Sequence, residues 1–75
     1  MKMPLEARLV KYLNECYPTC KSRRDIITHF VAQGDEHSGV TGRLAEATHK
    51  GLIRVVGMEG NQRLYQGIVR EHSDA

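Results

Sequence analysis

Large aromatic side chains are almost missing from this chain: it has no tryptophan, one phenylalanine and three tyrosines. Any core must therefore be built chiefly from leucine, isoleucine and valine. Cysteine is confined to Cys16 and Cys20, too few for a disulfide scaffold. Their C-x3-C spacing matches no common zinc pattern, even with His29, His37 and His49 counted. Cys16 falls on an apolar helical stripe and reads as a core thiol. No apolar run approaches the ~20 residues that span a bilayer. The Met-Lys-Met-Pro start passes at once to Glu6 and Arg8, without the apolar stretch of a secretory signal. The expectation is a cytoplasmic protein with reduced thiols, no membrane partner, no bound metal and no cofactor. Catalytic signatures are missing as well. There is no nucleophile motif, no glycine-rich phosphate loop and no converging carboxylate pair, and a chain this short has little room for a substrate pocket. Neither enzymatic activity nor a small-molecule substrate is expected.

What is present is one domain's worth of sequence. Its 75 residues are 40% hydrophobic and 27% charged, and a chain of that size buries only roughly 60% of its unfolded surface. The net charge of +2 permits contact with nucleic acid without demanding it. Seven of the eleven basic residues are arginine, the side chain better suited to forked contacts with phosphates and base edges.

Periodicity predicts three helices. Pro4 to Cys16 places Leu5, Leu9, Leu13 and Cys16 on one face, and Tyr17-Pro18 ends it, because a residue before proline is driven out of the α region. After the connector Thr19 to Lys21, Ser22-Arg23-Arg24-Asp25 resembles a capping box. It opens a helix from Arg23 to about Gln33 that buries Ile26, Ile27, Phe30 and Val31. Gly34 stops that helix, and a short polar turn forces the next one to cross steeply. The third helix, Gly39 to Lys50, has Ser38 as its expected N-cap and Gly51 as its left-handed stop. Val40, Leu44 and Ala47 face inward. Gly42, Ala45, Glu46 and His49 then face outward, with Thr41 and Thr48 on one flank and Arg43 and Lys50 on the other. Two strand-like runs follow, Leu52 to Val56 and Arg63 to Val69, joined by a loop from Gly57 to Gln62. Hydrophobic alternation suggests pairing Val55 with Leu64 and Ile53 with Gln66, which puts Arg54 and Arg63 on one outer face. The expected ordered core covers about 4–69, with a polar tail over 70–75.

This order of three helices and a two-stranded hairpin, with the Lys50-Gly51-Leu52-Ile53 junction and the closing Arg63-Leu64-Tyr65, resembles a winged helix-turn-helix domain. The resemblance spans roughly Leu5 to Val69 and identifies no narrower family. It implies a small α+β fold and double-stranded DNA as the partner, bound by a small transcriptional regulator. Helix three would enter the major groove and the hairpin, or wing, would touch an adjacent groove or the backbone. On this sequence, the reading helix would contribute Ser38, Thr41, Arg43, His49 and Lys50. Arg23 and Arg24 would meet phosphate at the start of helix two, while Arg54, Asn61, Gln62 and Arg63 would act from the wing. Arg43→Ala and Lys50→Ala would each weaken DNA binding by about 1–3 kcal/mol. A homodimer is expected, because one helix reads only a few base pairs, with helix one or the last strand as its contact. Glu46 argues the other way. A carboxylate on the reading face repels phosphate, unless it pairs with Lys50 at i,i+4. The competing expectation is a winged-helix docking module that binds protein rather than DNA and carries an exposed apolar patch.

Overall fold

A computed structural model describes residues 3–68. Its elements are α1 (Leu5–Cys16), β1 (Lys21–Ser22), α2 (Arg23–Val31), α3 (His37–His49), β2 (Ile53–Glu59) and β3 (Gln62–Gly67). The strands form one antiparallel sheet in the order β1-β3-β2. The expected two-stranded hairpin is therefore one part of a three-stranded sheet. The extra strand is only two residues long and pairs Lys21 with Tyr65 and Ser22 with Leu64. A strand that short has no period to read. Val69 and the expected tail over 70–75 lie outside the described residues.

The three helices close over an aliphatic core. Leu9 and Leu13 of α1, Ile26, Ile27 and Phe30 of α2, and Val40, Leu44 and Ala47 of α3 are buried together with Ile53 and Tyr65 from the sheet. Truncating a fully buried leucine or isoleucine in such a core costs roughly 2–5 kcal/mol. Leu5 and Cys16 are only half-buried, and Val31, expected inside, is 43% exposed at the end of α2. Arg8 Nη2 donates to Asp35 Oδ1 at 2.7 Å, which ties α1 to the turn between α2 and α3.

Local chemistry sets the helix ends. Ser22 Oγ accepts from the Asp25 amide at 3.1 Å, capping α2 as the sequence predicts. Gly51 takes φ +79°, and the amides of Gly51 and Leu52 return to the carbonyls of Thr48 and Ala47. That is the Schellman pattern, which satisfies the last open carbonyls of α3. Gly34 and Asp35 repeat it on Val31 and Phe30. The start of α3 departs from expectation. The helix begins at His37 with Glu36 at its N-cap and no side-chain cap bond. Ser38 is already inside the first turn, where its carbonyl accepts from Thr41 Oγ1.

The hairpin departs further. Ile53 pairs with Gly67, Arg54 with Gln66 and Val55 with Tyr65, and a bulge at Val56 then sets Gly57 against Leu64 and Met58 against Arg63. This is one residue away from the register that hydrophobic alternation suggests, so the faces of β3 are exchanged. Tyr65 is buried at 4% exposure, while Val55 is 39% exposed. Gly67 supplies the physical reason. A Cβ there would lie 2.8 Å from both N and Cα of Asn14 in α1, so only glycine lets the strand approach the helix on that face. The loop is also tighter than expected. Glu59 pairs with Gln62 across Gly60-Asn61, with Gly60 at φ +61° in the glycine-first order of a type II′ turn.

Candidate nucleic-acid interface

A groove of about 730 Å³ runs between α3 and the β2–β3 hairpin. Its apolar floor comes from Leu44, Ala45, Met58 and Tyr65, and its polar rim from Arg23, Thr41, Thr48, His49, Asn61 and Arg63. Each side of the groove has a local cause. Thr41, Ala45 and Thr48 recur at i, i+4, i+7 on one flank of α3. The bulge at Val56 shifts the alternation of β2, so Met58 shares the helix-side face with Arg63 and Tyr65. Arg23 enters from the first turn of α2, beyond the Ser22 cap.

Charge is distributed unevenly around this groove. Among the described residues, Lys21, Arg23, Arg24, Arg54 and Arg63 have no carboxylate partner, whereas Arg8, Lys11, Arg43 and Lys50 are each paired. Arg23 and Arg63 are on the groove rim. Arg23 and Arg24 also line an adjoining hollow with Ile27, Thr28, His37 and Gln62, while Lys21 and Arg54 line neither. Uncompensated cations on the wall of an apolar groove focus positive potential into it.

Of the residues expected to contact DNA, the structure brings Arg23, Thr41, His49, Asn61 and Arg63 to one groove. Arg24 is next door, and its amide donates to Gln62 Oε1 at 3.1 Å. Gln62 thus ties the hairpin to the start of α2 and occupies one of the amides expected to meet phosphate. Arg43 and Lys50 are on the flank of α3 away from the groove. Arg43 Nη1 donates to Glu46 Oε1 at 2.7 Å, and Lys50 Nζ lies 3.2 Å from Glu6 Oε2 on α1. The expected Glu46–Lys50 pair is therefore replaced by two others, one at i,i+3 and one between helices. Arg54 does not share a face with Arg63. It is on the opposite side of the sheet, where its guanidinium donates to Gln66 Oε1, and Gln66 in turn donates to the Pro18 carbonyl. Ser38 is exposed in the first turn of α3 and lines neither hollow.

Five contributors to the groove were missing from the sequence-based set, two of them, Leu44 and Tyr65, being core residues whose edges reach its floor. Thr48 and Ala45 were legible as neighbours of Thr41 on the helical wheel. Met58 was not, because its orientation depends on the bulge. Away from the groove, Tyr12 stacks on His29 with ring centroids 4.0 Å apart. Burial, followed by the nearby Cys16, pushes the Tyr12 phenol above its usual range. No group of three or more His, Cys, Asp or Glu among the described residues is placed to hold a metal ion, and Cys16 and Cys20 are free thiols. No described helix is long and apolar enough to cross a membrane. No family model, curated protein or solved structure matches this chain.

Proposed function

We propose that this chain is a winged helix-turn-helix domain that binds double-stranded DNA as a small cytoplasmic transcriptional regulator. On this reading α3 enters the major groove and the β2–β3 hairpin is the wing. The observation that carries the proposal is the pair Arg23 and Arg63, which lack carboxylate partners among the described residues and flank the groove beside α3. A DNA strand laid along that groove would set its sugars against Met58 of the hairpin and its phosphates against the two guanidiniums, leaving the α3 side to face base edges. Gly42 and Ala45, both exposed, let the α3 backbone approach base edges closely. Phosphate contacts of this kind position the protein and make affinity depend on salt. The test is a fluorescence-anisotropy titration of mixed-sequence duplex at about 50 and about 200 mM salt. Binding that weakens steeply between the two supports the proposal, and no binding at the lower salt refutes it.

A second reading, a docking module that pairs with a second copy of itself, draws on an apolar strip along α1. Met3, Pro4, Ala7, Val10 and Leu52 form it, with Lys11 and Glu15 at its edge. Lys11 and Glu15 pair with each other at that edge, and a two-fold contact would bury the apolar strip of each copy against that of the other. Salt-insensitive self-association in sedimentation, without duplex binding, would favour this reading over DNA.

A further inference from the structure

The groove side of α3 is short on hydrogen-bonding reach and rich in methyl groups. Thr41 Oγ1 donates to the Ser38 carbonyl at 3.0 Å, and Thr48 Oγ1 donates to the Leu44 carbonyl at 2.9 Å. Each hydroxyl hydrogen is thus held by its own helix, so these threonines offer a ligand their γ-methyl groups and an acceptor lone pair. Ala45, exposed between them, adds a third methyl. The long cations of α3 are elsewhere: Glu46 holds Arg43 and Glu6 holds Lys50. Guanine is read by arginine or lysine and adenine by asparagine or glutamine. None of these four residue types is on the groove side of α3, where His49 is the one titratable side chain. The base-edge group that a methyl-bearing surface matches is the C5-methyl of thymine.

We infer that α3 reads thymine in the major groove through its C5-methyl, using Thr41, Ala45 and Thr48. The inference rests on the DNA-binding reading above and assigns the chemistry that reading leaves open. Arg23 and Arg63 hold the backbone and are indifferent to sequence; the methyl surface supplies the discrimination. Burying one methyl against another apolar group changes affinity about fourfold.

The test begins with selection of tight-binding duplexes from a randomised pool. The selected duplex is then synthesised with thymine and with uracil at the central positions, two forms identical in pairing and differing only in methyl groups. The expected result is binding about fourfold weaker for each contacted thymine replaced. Thr48→Ser removes the protein methyl and keeps the hydroxyl. It should shrink the preference for thymine over uracil, and an undiminished preference in this variant overturns the role given to Thr48. Equal binding of the two forms, with salt dependence intact, overturns the inference and leaves DNA binding standing. Selection that enriches no thymine opposite α3 also overturns it. Absence of any duplex binding at low salt overturns both.

Discussion

Replacing Arg63 with alanine gives the sharpest test of the proposed DNA groove, because the expected salt dependence follows from the number of arginines around it. Three arginines without a carboxylate partner among the described residues, Arg23, Arg24 and Arg63, surround the groove and its adjoining hollow. If each neutralises one phosphate, the slope of log K against log salt is about −2.7. Raising salt from about 50 to about 200 mM then weakens the wild type roughly 40-fold. Arg63→Ala removes one contact, so the slope falls to about −1.8 and the loss to roughly 12-fold. The Arg63 side chain is exposed on its strand and buries no core surface, so folding is unaffected. Arg54→Ala serves as the control: same charge, opposite face of the sheet, already bound to Gln66. Arg43→Ala and Lys50→Ala should likewise leave the slope unchanged, since Glu46 and Glu6 already compensate them. Anisotropy titrations at four or so salt concentrations measure every slope. A wild-type slope in Arg63→Ala, or a reduced one in Arg54→Ala, would show that the groove is not where phosphate binds.

Other outcomes follow from the packing. Gly67→Ala would place a Cβ 2.8 Å from backbone atoms of Asn14, forcing α1 off the sheet at a cost of about 1–3 kcal/mol; thermal melting should drop by on the order of 10 °C, and an unchanged melting point would contradict the register. Ser22→Ala removes the oxygen that caps α2 and should cost about 1 kcal/mol in urea denaturation. Tyr12, with its phenol raised above the usual 10.0 by burial, keeps its proton in the folded state at a pH where the unfolded chain loses it. Its contribution is therefore complete below that value and declines as pH rises beyond it. Wild type should lose stability relative to Tyr12→Phe as pH rises above 10.0, and a pH-independent difference would argue against that burial.

The candidate site was legible only where its chemistry is local. Thr41, His49 and Arg23 could be assigned because helical spacing and a cap place them without reference to anything distant. Arg43 and Lys50 were chosen on the same grounds and are held elsewhere, because their partners compete. Lys50 has a carboxylate four residues back, yet it pairs with Glu6 across the α1–α3 contact, which no local rule anticipates. Arg54 and Arg63 were assigned to one face by alternation. Alternation weighed Leu64 against Tyr65 and favoured the aliphatic residue, whereas the close approach of α1 at Gly67 decided the opposite. A glycine inside a strand is itself a sign of such an approach. It was the one available clue to the true register.

The amino-acid order alone determined the three helices, their caps at Ser22, Gly34 and Gly51, and nearly all of the buried aliphatic positions. Those features depend on side chains within a turn or two of each other, and the free energies involved are local. Tertiary structure decided the third strand, the register of the hairpin, the bulge that turns Met58 toward α3, and which cations remain uncompensated. Each of these is settled by contact between segments far apart in the chain. Strand faces reverse with a single step of slip, and ion pairs go to whichever opposite charge packing brings nearest. The groove beside α3 is built from exactly such contacts, so its shape and charge belong to the fold and not to any one stretch of sequence.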